Sequence, residues 1–329
     1  MRSISVVVPT FNRPAQLSKV LDHILRSDVD GLEKVEVIVV DDGSPESAKP
    51  VVESKAVDGP FSLKYLRQEN AGPAKARNNG IRHASGNVIL LIDDDVLVLP
   101  EVLKKHLEAH QDKPGSIVFG PYPYLPIDEP TTAFKYLSSL LDKEVDRPDD
   151  IKYVPIGFVA SGNLSLEKAM FPSGEVYRSD LKIPAAEEFE FEHRLNTTGV
   201  PIFMVPEAKG WHLQPPTIED KCKQEFKYGV GAAEVWLKVP DIIDNQHISG
   251  FVLENGFIDW SRDTVSVKAR KLVKTVLSAD LIRALALRVV KFLERIKAPD
   301  SLLFLMYRFL CGINLFAGVR HGLKTFEHR

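Results

Sequence analysis

Short runs of apolar, mostly β-branched residues recur in the first hundred positions, and each stops at a polar cluster. Ser3 to Val8 runs into Pro9-Thr10-Phe11-Asn12-Arg13-Pro14, Val35 to Val40 ends in Asp41-Asp42-Gly43-Ser44, and Val88 to Ile92 ends in Asp93-Asp94-Asp95. Val88 to Ile92 has no polar alternation, which predicts a strand covered on both faces, as in a parallel sheet between helix layers. Between the runs the period becomes helical. Pro14 to Ser27 sets Leu17, Leu21 and Leu25 on one face, and Ala74 to Ala84 reads as another helix. Strands alternating with helices predict a βαβ series whose strand ends lie side by side, gathering Asp41, Asp42, Asp93 and Asp95 at one rim.

Carboxylates crowded there repel one another unless a cation or an ordered hydrogen-bond network neutralises them. Mg²⁺ or Mn²⁺, which take oxygen ligands and are often shared with substrate phosphates, suit such a place. A solvated acidic turn capping the next helix accounts for the same residues without a metal.

Val7-Val8-Pro9-Thr10-Phe11-Asn12-Arg13, Val39-Val40-Asp41-Asp42-Gly43-Ser44, Gly72-Pro73-Ala74-Lys75-Ala76-Arg77-Asn78-Asn79-Gly80 and Asp93-Asp94-Asp95, in that order, resemble the motifs of family 2 glycosyltransferases over roughly residues 1 to 215. The resemblance implies a GT-A fold, an α/β Rossmann-like architecture with a mostly parallel sheet flanked by helices. It also implies an inverting enzyme using a nucleotide-diphosphate sugar, UDP- or dTDP-linked. By resemblance, Pro9, Thr10, Phe11, Asn12 and Arg13 with the Asp42 carboxylate hold the nucleobase, and Arg77 and Asn78 serve the diphosphate or ribose. Asp93 then faces the ribose, Asp94 points inward or supports its neighbours, and Asp95 ligates a divalent metal, Mn²⁺ or Mg²⁺. His212, in Gly210-Trp211-His212-Leu213, is a candidate further ligand, with ordinary packing as the alternative.

The general base falls in Ala185-Ala186-Glu187-Glu188-Phe189-Glu190, where the family reads Glu-Asp. Glu188 stands in place of the aspartate and by resemblance removes the acceptor proton, with Glu187 or Glu190 able to share the role. The added methylene moves the carboxylate by roughly 1.5 Å, a scale to which catalytic geometry is sensitive. An acid-rich helix start, favoured by the macrodipole, explains the same glutamates without chemistry.

Val154 to Leu166 reads as a strand entering the acceptor half, and Gly162-Asn163 resembles the position where the family packs small residues beneath the acceptor; Tyr122, Tyr124 and Tyr136 are available to stack on sugars but name no acceptor. The 329 residues, 44% hydrophobic, accommodate a GT-A domain over 1–240 and a helical C-terminal region over 241–329. From Arg262 onward the chain carries 14 Lys/Arg against 5 Asp/Glu, a net of +9, leaving −12 for the rest. Val265 to Lys297 and Ser301 to His321 read as basic amphipathic helices, which predicts peripheral contact with an anionic membrane surface and fits a glycan or lipid-linked acceptor. Leu302 to Ala317 is apolar but contains Arg308 and Asn314, which favours an interfacial or re-entrant segment over a span; a lid or oligomer contact is the alternative.

Two distant cysteines, Cys222 and Cys311, and a strand beginning almost at once predict a reducing, cytoplasmic setting without a secretory signal. Helices apolar on one face argue against nucleic acid as a partner. A non-catalytic nucleotide-sugar or carbohydrate-binding relative is the alternative function. A sugar-phosphate nucleotidyltransferase is disfavoured, because Pro9 to Pro14 replaces the glycine-rich phosphate loop it needs.

Overall fold

The computed structural model describes residues 3–57, 59–145, 161–183, 186–213, 217–239, 241–242, 250 and 253–326. It falls into two compact units, one of Met1–Pro126, Leu141–Lys182 and Phe191–Gln214, the other of Ile127–Leu140, Ile183–Glu190 and Pro215–Arg329.

In the first unit, β1 (Ser3–Thr10), β2 (Lys34–Asp41), β3 (Phe61–Arg67), β4 (Val88–Ile92), β6 (Ile117–Phe119), β7 (Asn163–Glu167) and β8 (Ile202–Met204) form one sheet in the order β3-β2-β1-β4-β7-β6-β8. The first four are parallel, β7 runs against both neighbours, and β6 and β8 are parallel. The expected mostly parallel α/β sheet is therefore present, with one reversed strand. Alternate residues serve opposite cores: Ile4, Val6 and Val8 pack with Leu17, Leu21 and Ile24 on one face, while Val7 packs with Ile38, Ile81 and Leu91 on the other. Both faces are covered, which explains the unbroken apolar runs. β5 (Val96–Val98) and β9 (Gly210–His212) make a separate antiparallel pair that the sequence pattern did not predict.

Helix α1 (Pro14–Leu25) buries Leu17, Val20, Leu21 and Ile24; Leu25, expected on this face, lies at its half-buried edge. The other helices of this region are α2 (Lys49–Glu53), α3 (Pro73–His83) and α4 (Val102–Asp112). A Cβ on Gly80 would strike Val7, so glycine is what lets α3 lie against β1. Of the strand expected over Val154 to Leu166, β7 begins only at Asn163, and 154–160 lie outside the described residues. The bounds of the two units fall within α5 (Thr132–Val145) and α6 (Ala186–Thr198).

The second unit is helical, with α7 (Ile218–Lys238), α8 (Val265–Leu277), α9 (Asp280–Arg295) and α10 (Asp300–Phe326). The single helix expected from Val265 to Lys297 is two, because Ala279 turns extended (φ −59°, ψ 142°) and Arg283 Nε donates to the Ser278 carbonyl at 3.1 Å. Helices α7 and α10 touch backbone to backbone: a Cβ on Gly229 would overlap the Leu315 carbonyl, and one on Gly318 the Phe226 carbonyl. Cys222 and Cys311 meet there as buried free thiols, their contact raising the Cys311 pKa and lowering that of Cys222. Among the described residues, α10 alone is long and apolar enough to cross a membrane by length and composition, and 44% of its most apolar window is buried.

Candidate active site

The site begins where β1 ends. Asn12 adopts a left-handed conformation (φ 56°), which asparagine tolerates, and its N–H donates to Ser44 Oγ at 2.9 Å. Beyond this bend, Arg13 Nη1 donates to Asp94 Oδ1 at 3.0 Å and to Asp95 Oδ2 at 2.8 Å. Thr10 Oγ1 donates to Asp94 Oδ2 at 2.7 Å. Parallel pairing of β1 with β4 makes these contacts between residues more than eighty positions apart. Asp94 is 6% exposed, and burial pushes its pKa up to about 6 against Arg13 and Thr10, which pull it down; Asp95 and Asp93 add repulsion. Pro9 is buried in the strand, whereas Phe11 is 45% exposed at the bend.

Arg77, buried in α3, donates from Nη2 to Asp93 Oδ1 at 2.8 Å, its guanidinium 5.6 Å from the Tyr177 ring centre. Asp93 itself remains one-third exposed, and its N–H donates to the Gly162 carbonyl. A Cβ on Gly162 would stand 3.0 Å from Asp93 Oδ2 and 3.1 Å from the Tyr122 ring, so a small residue here keeps space around that carboxylate. Asn78 is committed elsewhere. Its Nδ2 donates to the Tyr177 carbonyl and Glu175, and its Oδ1 accepts from the Val176 and Tyr177 N–H groups, filling its two donor and two acceptor directions.

The acids after β2 are also engaged. Asp42 accepts from Gln68 Nε2 at 2.8 Å and from the N–H groups of Ala71 and Gly72 at 2.9 Å, pinning the loop that leads into α3. Asp41, fully buried, accepts from Ser44 N, Ala48 N and the Tyr65 hydroxyl; these bonds outweigh burial and hold its pKa below the usual value. That is the turn-capping role open to it from sequence. Gly43, at φ 80° and packed against Asn70, completes the turn. Beside the loop, Gln68, Lys75, Asn78, Arg82 and Glu175 help line a cleft of about 260 Å³.

His212 reaches the rim through the small second sheet, paired with Val96, one residue beyond Asp95. Its Nε2 lies 3.7 Å from Asp95 Oδ1, with Tyr122 stacked on its ring and Tyr124 edge-on at 5.2 Å between centres. Burial, aided by Asp95, raises the Tyr124 pKa to about 12, so its hydroxyl stays protonated. Among the described residues, no three His, Cys, Asp or Glu side chains form a metal cage by themselves. One oxygen and one nitrogen donor, Asp95 and His212, suit a divalent cation that takes its other ligands from a diphosphate and water.

Glu188 lies half-buried in the first turn of α6, with Glu187 and Glu190 at 3% and 5% exposure. These glutamates belong to the second unit and the rim to the first. One part of the site escaped the sequence, and the surroundings of another were only partly read. Tyr177, donating to Ser161 Oγ at 2.7 Å, lies under Arg77, and the paired tyrosines around His212 form its walls. Tyr122 and Tyr124 were visible as aromatics near prolines, but Tyr177 carried no local signal.

Validoxylamine A glucosyltransferase of Streptomyces hygroscopicus is 30% identical over 242 residues, 65% of this chain and 55% of that protein. Hyaluronan synthase of Pasteurella multocida is 24% identical over 291 residues, 78% of this chain and 30% of the synthase. The chain thus spans about half, or less, of the length of the curated relatives it matches. A mannosyltransferase from Pyrobaculum calidifontis, solved in complex with GDP-Man and Mn²⁺, shares the fold with a TM-score of 0.59 at 16% identity, covering 95% of this chain and 86% of that one. The fold class expected from the motifs, GT-A, is the one observed. Residues 5–170 match the model of glycosyl transferase family 2, and the chain belongs to that family.

Proposed function

We propose that the chain is an inverting glycosyltransferase that moves a sugar from a nucleotide-diphosphate sugar, UDP- or dTDP-linked, to a hydroxyl of a glycan or lipid-linked acceptor. The observation that carries this reading is the meeting of Thr10, Arg13, Asp93, Asp94, Asp95, Arg77 and His212 at the ends of β1 and β4. Family membership supports the reaction class, and the similar fold solved with GDP-Man and Mn²⁺ supports a nucleotide-sugar donor and a divalent cation.

In this reading Asp95 and His212 hold Mn²⁺ or Mg²⁺, which when bound neutralises charge on the diphosphate. Arg77 fixes Asp93 toward the ribose, and Asp94 holds Arg13 at the mouth of the site. Asp42 presents the Gln68–Gly72 loop and the bend at Pro9 to Arg13 to the nucleobase, while Asn78 shapes the wall through residues 175–177. Glu188 takes the acceptor proton, with Glu187 or Glu190 as its companion. A lipid-linked acceptor places the chain at the cytoplasmic face of a membrane.

The test is release of nucleoside diphosphate from a panel of nucleotide sugars with Mn²⁺, Mg²⁺ or chelator, using membrane lipid extract and glycans as acceptors. One donor should turn over, and chelation should abolish turnover. Glu188→Gln should lower kcat by a factor on the order of 10²–10⁴ while nucleotide binding persists. Full activity in Glu188→Gln removes the base assignment, chelator-insensitive turnover removes the metal, and binding without turnover across the panel favours a non-catalytic relative.

A further inference from the structure

The outward faces of α8 and α9 are apolar. Along α8, Val265, Ala269, Leu272 and Val276 follow an i, i+4, i+7, i+11 spacing, and Val265, Leu272 and Val276 are 84%, 57% and 57% exposed. Along α9, Leu281, Leu285, Val289 and Phe292 repeat a one-face spacing, with Leu281 at 71% and Phe292 at 60%. Single exposed leucines are ordinary, but stripes repeated over two successive helices mark an interaction surface. These are not the faces by which the helices pack. Val290 is buried in α9, Arg283 donates to Asn314 in α10, and Lys271, 3% exposed, donates to the Phe257 carbonyl and Asp263.

The charge around the stripes is mostly positive. Residues 262–297 hold ten Lys/Arg and three Asp/Glu. Each acid is bound within the unit, Asp263 to Lys271, Asp280 to Arg283 and Glu294 to the Tyr307 hydroxyl. Arg288 and Arg295 form a basic pair along α9 next to its apolar stripe, and Lys291 between them is ion-paired with Glu219 of α7.

We propose that α8 and α9 dock flat on an anionic phospholipid bilayer, with the apolar stripes at the acyl boundary and the basic pair among the headgroups. A second copy of the chain is the poorer occupant, since two such faces would oppose like charges across an apolar contact. This surface serves the lipid-linked acceptor proposed above and rests on that reading, but not on the donor chemistry.

The test is co-sedimentation of the full chain with vesicles of equimolar phosphatidylglycerol and phosphatidylcholine, or of phosphatidylcholine alone, without nucleotide sugar, so that failure here is separate from failure of the transferase reading. Binding to the anionic vesicles should be about tenfold tighter or more, and weakened by salt. Trp260, 77% exposed just before α8, should shift its emission to the blue, a change lost in Trp260→Phe. Leu281→Glu with Phe292→Glu should abolish binding without altering the thermal melt. Arg288→Glu with Arg295→Glu should remove only the preference for anionic lipid. No sedimentation with either vesicle, or equal sedimentation with both, overturns the proposal. So does a concentration-dependent dimer that Leu281→Glu with Phe292→Glu dissolves in the absence of vesicle binding.

Discussion

The sheet keeps its polar chemistry in different places on the two sides of β4. In β1, β2 and β4 the interior is almost wholly apolar, with polar groups at the strand ends as Thr10, Asp42 and Asp93; Ser5 bonded to Glu36 is the exception, near the amino ends. In β7, by contrast, Asn163 and Ser165 lie fully buried within the strand. His106 Nδ1 and His110 Nε2 of α4 both contact Ser165 Oγ, and His106 Nε2 contacts Asn163 Oδ1. The parallel side uses burial for stability and keeps its polar groups at the rim. The antiparallel side depends on a polar network in which each member needs the others.

The largest effect on stability should therefore come from breaking that network. Asn163→Leu strands His106 and the Ala208 carbonyl, to which Asn163 Nδ2 donates at 2.7 Å, and should cost about 2–4 kcal/mol in urea unfolding at pH 7. Burial also lowers the pKa of His106 to about 3 and of His110 to about 4, so both are neutral in the fold. The unfolded chain takes up their protons from about pH 6.5 downward. Stability should fall as pH drops from 6.5 toward 3, and His110→Gln should flatten that limb. An unchanged acid limb in His110→Gln, or an Asn163→Leu variant as stable as the parent, erases the distinction between the two sides.

This contrast also explains what could be read from the sequence. The runs ending at Asp41, Asp42 and Asp93 were legible because strands covered on both faces by apolar helices need continuous apolar residues, and the rim follows from parallel order. Asn163-Leu164-Ser165-Leu166-Glu167 alternates strictly, the pattern of a strand with one wet face, yet its polar face is covered by α4. Nothing local to His106 or His110 reveals that partnership, which is made across more than fifty residues. At the rim the acids could be gathered from sequence but not sorted. That Asp42 and Asn78 bind their own chain while Asp93 and Asp95 keep partly open faces depends on loops whose course only the tertiary structure fixes.

A smaller effect, of opposite sign in pH, belongs to the rim. Asp94 is the raised acid of the set, at about 6, with burial as the main cause. Below about pH 4 both folded and unfolded chains hold its proton. Between 4 and 6 the fold binds it more strongly, so this contribution to stability is present at low pH and lost as pH rises through 6. The two-unit shift corresponds to roughly 2–3 kcal/mol. Asp94→Asn, whose Oδ1 can still accept from Arg13 while its Nδ2 donates to the Thr10 hydroxyl, should gain stability relative to the parent by that order between pH 4 and 7, measured as the difference in unfolding free energy. A difference flat across that range means that Arg13 fully offsets the burial of Asp94, and the two sides would then not titrate in opposite directions.

The smallest change tests where the two sides meet. Gly162 directly precedes β7 yet borders Asp93, and an alanine Cβ would press on Asp93 Oδ2 and the Tyr122 ring at 3.0–3.1 Å, contacts that a shift of a few tenths of an ångström relieves. Gly162→Ala should cost about 1 kcal/mol or less in stability, since the strained neighbours are partly exposed side chains able to move. If Asp93 orients the ribose, that displacement should appear in donor binding, raising KM for the nucleotide sugar by roughly three- to tenfold with kcat little changed, because positioning is sensitive to movements well below 1 Å. Loss of stability with unaltered KM would mean that Gly162 is needed only for packing at the start of β7. Asp93 would then shape the site without facing the donor.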